Sequence, residues 1–113
     1  MSTITKVFPS GAAYGVPVKV VATSTPGTLF HTAHATSSDE VYLYATNTSG
    51  TDRQLTVEFG GPTAPDYNIV MTIPAGDTVL VVAGVPISNS LTVKCFAAAA
   101  NVINVFGFIN RIS

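Results

Sequence analysis

Short β-branched runs broken by turn-forming residues recur along nearly the whole chain, and this rhythm limits what it can fold into. Between residues 41 and 82 the chain reads Val-Tyr-Leu-Tyr-Ala-Thr, then a polar turn over 47–52, then Arg-Gln-Leu-Thr-Val-Glu-Phe. A third run at 67–73 meets the turn Pro74-Ala75-Gly76-Asp77, which suits a type I turn with Pro second and Gly last. The grammar is that of antiparallel strands joined by tight loops. The only run of high helix propensity, Ala97-Ala98-Ala99-Ala100, is too short to overcome helix nucleation.

Strands are expected over 16–22, 28–32, 40–46, 53–59, 67–73, 78–83, 91–96 and 102–110. Side-chain alternation puts Val41, Leu43 and Ala45 toward a core and Tyr42 and Tyr44 on the opposite face. In 53–59 it points Leu55, Val57 and Phe59 inward and Gln54, Thr56 and Glu58 outward. Alternation fades in 78–83, which predicts a strand covered on both faces. The last strand is also apolar on both faces, with Val102, Asn104, Phe106 and Phe108 on one and Ile103, Val105, Gly107 and Ile109 on the other. About eight short strands without a long helix predict an all-β fold, a single antiparallel β-sandwich wired as a jelly roll or in an immunoglobulin-like way. Residues 1–15 read as an extended N-terminal arm, because Pro9-Ser10-Gly11 breaks its one apolar run, and 16–113 as the sandwich domain.

Composition narrows the function classes. Charged residues make up 10% of the 113-residue chain, against about 25% in ordinary soluble domains. A surface so poor in charge is weakly protected against association, so part of it is expected to be covered by partners. A net charge of −1 without a Lys/Arg cluster gives no footprint for nucleic acid. No apolar stretch approaches the roughly eighteen residues of a membrane span. The start lacks a secretory signal pattern, so synthesis in a cytoplasm is expected. Cys95 sits within an apolar run and reads as a small buried hydrophobe.

No chemistry-bearing constellation stands out. His31, His34, Asp39 and Glu40 come nearest to a metal-ligand set, but strand residues three apart face opposite ways, so the bland reading is polar residues at a strand end. There is no Gly-x-Ser-x-Gly elbow and no phosphate-cradling loop. Asn47-Thr48-Ser49 matches a glycosylation sequon but reads as a hairpin turn. No catalytic, cofactor or metal site is expected. The candidate functional residues are instead contact anchors: Ile4, Phe8 and Tyr14 in the arm, Tyr42 and Tyr44, and Phe106 and Phe108, for which plain core is the first reading.

The motifs Thr-Leu-Phe-His-Thr-Ala, then Asn47-Thr-Ser-Gly-Thr-Asp-Arg-Gln-Leu-Thr-Val, then Thr72-Ile-Pro-Ala-Gly-Asp-Thr, then the segment 97–105, follow one another in an order that resembles a group of small β-sandwich virion proteins of tailed bacteriophages. The resemblance spans residues 28–110. It implies a non-enzymatic virion structural protein, made in the host bacterial cytoplasm. The first expectation is a capsid decoration or cement protein, a homo-oligomer (a trimer, from the symmetry of capsid sites) bound to the major capsid protein. A neck or head–tail connector, or a tail or fibre component, is the alternative within the group. A carbohydrate-binding sandwich, using Tyr42, Tyr44 and Glu58, is the alternative outside it.

Overall fold

A computed structural model describes residues 2–113. Nine strands form: β1 (Ile4–Val7), β2 (Val18–Lys19), β3 (Thr28–Thr32), β4 (Ser38–Asn47), β5 (Arg53–Phe59), β6 (Asn68–Ile73), β7 (Thr78–Ile87), β8 (Thr92–Ala97) and β9 (Ile103–Ile112). They make two antiparallel sheets. The first has the order β1-β9-β4-β7, with β2 also on β9, and the second has the order β3-β8-β5-β6. Reading β2-β9-β4-β7 against β3-β8-β5-β6 gives the jelly-roll wiring, which resolves the choice that the strand pattern leaves open.

This wiring corrects one expectation. The turn at 47–52 is not a hairpin, because β4 belongs to the first sheet and β5 to the second. The Pro74–Asp77 turn likewise crosses from β6 to β7, between sheets. Turn residues set the local reversal of the chain, and do not specify which sheet receives the next strand.

The core is the apolar inner face of both sheets. Val41, Leu43 and Ala45 of β4 and Leu55 and Val57 of β5 are buried there, as their alternation predicts, together with Val93 and Cys95 of β8 and Ile103, Val105 and Ile109 of β9. The thiol of Cys95 is pushed up to about 12, chiefly by burial and further by the charge of Glu58, which leaves it unreactive.

Several boundaries and faces differ from expectation. Of the strand expected over 16–22, only Val18–Lys19 forms a regular strand, on β9, and Val20 and Ala22 follow with single hydrogen bonds to Ile103 and Ala97. β7 continues through 84–87, past the expected end at residue 83, because register shifts in its pairing with β4 and the positive φ of Gly84 absorb the irregularity. It is an edge strand, so Leu80 and Val85 stay exposed and the expected double coverage fails. Thr56 and Glu58 point outward from β5 but are buried, and the β2–β3 connection folds over Glu58. There the Glu58 carboxylate accepts bonds from the Thr25 hydroxyl and, at 2.6 Å, from the Gly27 amide. Gly27 must be glycine, because a Cβ would lie 2.6 Å from the Cys95 backbone.

The supposed arm is also corrected in part. Ile4–Val7 is a strand of the first sheet, registered from Ile4 opposite Ile112 to Val7 opposite Ile109. The unsatisfied edge of β9 takes it in. The following residues are strapped to β3: the Gly11 amide donates to the Phe30 carbonyl at 2.9 Å, and the Thr32 amide to Ser10 Oγ at 2.7 Å. Met1, the first residue of that expected segment, lies outside the described residues.

Candidate functional site

The outer face of the first sheet gathers most of the aromatic residues singled out from sequence. β4 and β9 pair so that Tyr42 stands opposite Phe108 and Tyr44 opposite Phe106. Their rings stack, with centroids 4.5 Å apart at 13° for Tyr42–Phe108 and 5.3 Å apart at 15° for Tyr44–Phe106. Cross-strand aromatic pairs of this kind contribute about 0.5–1.5 kcal/mol beyond the area they bury. Lys6 on β1 lies over the outer pair, its Nζ 4.7 Å from the Phe108 centroid. Ile4, two residues earlier, shares that side by alternation and is 66% exposed. On the other flank Leu80 of β7 stands opposite Tyr44.

All four stacked rings are half-buried, in part by one another. Phe106 and Phe108 are therefore not core. The core face of β9 belongs to Ile103, Val105 and Ile109. The close approach of β9 to β4 depends on Gly107, at φ 154°, where a Cβ would come 1.9 Å from the Tyr42 carbonyl oxygen. Between the two phenylalanines, glycine lets the strands close and the rings stack.

Phe8 and Tyr14 are placed elsewhere. They sit in the β1–β2 connection, 65% and 91% exposed, with the Phe8 ring against Gly15. Tyr14 holds a positive φ of 55° in the short 3₁₀ turn Ala13–Gly15.

Glu58 does not join the tyrosines. It belongs to β5 of the other sheet and is buried, which removes it from the carbohydrate-binding set. The carboxylate on the aromatic face is that of Glu40, two residues before Tyr42 on β4.

A polar cluster that the sequence does not announce closes one end of the sandwich. Asp39 on β4 is fully buried and takes a two-pronged ion pair from Arg111 on β9, Nε to Oδ1 at 2.8 Å and Nη2 to Oδ2 at 3.0 Å. His31 Nε2 donates to Asp39 Oδ2 at 2.7 Å, and the His34 amide donates to the same oxygen at 3.1 Å. Because Nε2 carries the proton, Nδ1 is the acceptor for the Ser10 amide at 3.0 Å. Burial would raise the Asp39 carboxyl, but the bonds from Arg111, His31 and the His34 amide outweigh it and hold it at about 2. Burial holds His31 below its ordinary value, against the pull of Asp39.

The nearest thing to a metal set is thereby spent on structure. His34 Nδ1 accepts from the Thr36 and Ser37 amides, and among the described residues no three His, Cys, Asp or Glu converge.

The other end is closed by Asn47. Its Nδ2 donates to the carbonyls of Thr51 and Ile73 at 2.8 and 2.9 Å, and its Oδ1 accepts from the Ser49 amide and hydroxyl. Its backbone pairs with Gly76 and Asp77. The two turns that carry the sequence motifs are thus bonded to each other through one buried amide. No family model, curated protein or solved structure matches this chain.

Proposed function

We propose that this chain is a non-enzymatic structural protein of a tailed-bacteriophage virion, and within it a decoration protein that binds the outside of the capsid shell. The observation that carries the reading is the stacked aromatic face of Tyr42, Tyr44, Phe106 and Phe108, which lies on the outer side of the first sheet and stays partly open to solvent. Aromatic anchors flanked by polar residues are the composition of a binding surface. Charge-poor composition supports a subunit that works inside an assembly. The motif turns support it by resemblance, and the jelly roll is an architecture that viral capsid domains use, an analogy at the level of fold.

On this reading the aromatic face meets the major capsid protein, and area buried there holds the shell against outward pressure. Co-sedimentation with matured capsids that lack the protein tests it: saturable binding at a symmetric stoichiometry is expected. A stable ring with no affinity for shells would favour a neck or tail component.

A second reading keeps one observation of its own. Glu40 beside Tyr42 supplies a carboxylate next to aromatic rings, as a glycan site would need. Binding to a glycan array, lost on Tyr42→Ala, would favour it.

A further inference from the structure

Among the described residues, the exposed large apolar side chains avoid the central strands β4, β9, β5 and β8 and gather at two opposite edges of the sandwich. Ile4, Phe8, Tyr14, Val16, Val21 and Leu29 stand on β1, on β3 and in the connections beside β2. Tyr67, Val70, Met71, Leu80, Val85 and Leu91 stand on or beside β6 and β7.

The same two edges carry opposite charge. Residues 2–38 contain no Asp or Glu, and their edge displays Lys6 and Lys19. Residues 54–93 contain no Lys or Arg, and their edge displays Asp66 and Asp77.

The charges also match along the strands. Lys6, opposite Asn110, lies at the end of the sandwich that holds Asp39. Asp66 lies at that end too, beside Tyr67, whose carbonyl accepts from the Phe59 amide. Lys19, opposite Asn104, and Asp77, bonded to Asn47, lie at the other end.

Shape agrees with charge. The β1–β2 connection carries Tyr14 outward, while a hollow of about 460 Å³ opens beside the β6–β7 edge, rimmed by Phe59, Tyr67, Pro86, Ile87 and Leu91. β6 is an unguarded edge strand, with no charge, no proline and no register shift, whereas β3 is covered by the Ser10–Gly11 strap.

We propose that copies of this chain associate head to tail, the β1–β2 edge of one seating on the β6–β7 edge of the next. Tyr14 enters the hollow, Lys6 faces Asp66 and Lys19 faces Asp77. Because the charges pair without reversing the strand direction, the contact is heterologous, and on this proposal a rotation about an axis along the strands closes it into a ring. This edge contact adjoins the aromatic face proposed for the shell and shares Lys6 with it, and its test uses the purified chain alone and leaves Lys6 unaltered.

The test is sedimentation velocity on the wild type and two variants, one altered at each edge: Tyr14→Asn with Lys19→Glu, and Tyr67→Ser with Val70→Glu. Both variants add negative charge, so neither restores the other's lost pair. Asn tolerates the positive φ at position 14, and circular dichroism melts near the wild-type temperature verify folding. The wild type is expected as one species larger than a dimer. Each variant alone is expected as a monomer, and their equimolar mixture as a one-to-one dimer, since each keeps one working edge. A monomeric wild type, a wild-type dimer, or a mixture that stays monomeric would overturn the proposal.

Discussion

Arg111 grips both carboxylate oxygens of Asp39 from the directly opposite position on the neighbouring strand, at 2.8 and 3.0 Å. The pair joins β9 to β4, and through His31 and Ser10 it also holds β3 and the strap that follows β1. Removing one partner of such a buried cluster leaves the other charge unpaired. Asp39→Ala is therefore expected to cost about 3–5 kcal/mol in urea unfolding, and Asp39→Asn less. Arg111→Lys, which keeps the charge but loses the fork, should fall between wild type and Asp39→Ala.

The same cluster sets an acid limit. His31 is held neutral in the folded chain, so between 6.5 and its lowered folded pKa the unfolded chain binds more protons. Stability is thus expected to fall as pH drops below 6.5 and to level off beneath the folded value of His31. A second loss follows from Asp39, whose stabilisation is present above 3.8 and disappears as pH falls toward 2. Thermal melts across pH should show both falls. His31→Gln should be less stable at pH 7, with the gap to wild type narrowing on acidification.

Asn47 bonds two turns that lie in separate sequence motifs. Asn47→Ala strands the carbonyl of Ile73, whereas that of Thr51 keeps the Ser49 hydroxyl, and is expected to cost about 1–3 kcal/mol. Its buried amide is also closed to modification, although the Asn47-Thr48-Ser49 sequon is intact. Expression in a glycosylating host should add no glycan mass at Asn47, by intact-mass spectrometry.

Gly107 has no room for a methyl group, whereas Gly50 has nothing within 4 Å of its Cβ position. Gly107→Ala should cost on the order of 3 kcal/mol or more, since backbone must move. Gly50→Ala should change stability by less than about 1 kcal/mol. Denaturant midpoints of the two variants decide it.

How much of this was legible in the sequence depends on the range of the signal. Alternation is local, so the inward set Val41, Leu43 and Ala45 and the limits of β3 and β5 could be read directly. Sheet membership is not local, and the turns at 47–52 and 74–77 look like hairpin turns although they cross between sheets. Glu58 reads as an outward residue because nothing near it announces that Thr25 and Gly27 will fold over it. Of the candidate site, the stacked face was half visible: alternation pairs Tyr42 with Tyr44 and Phe106 with Phe108, but only the β4–β9 register puts the two pairs together. Arg111 was missed because its partner lies 72 residues away. The one available hint was an Asp and a His beside apolar strands in a chain with few charges.

The central claim is that the aromatic face binds a capsid shell, and the most direct measurement is co-sedimentation with matured capsids that lack the protein, using wild type and Tyr44→Ser/Phe106→Ser. The two substituted side chains lie on the outer face, so the variant is expected to keep its fold by circular dichroism. Saturable wild-type binding, lost or weakened at least tenfold in the variant, is the predicted result. No binding by the wild type, or equal binding by both proteins, would contradict the account.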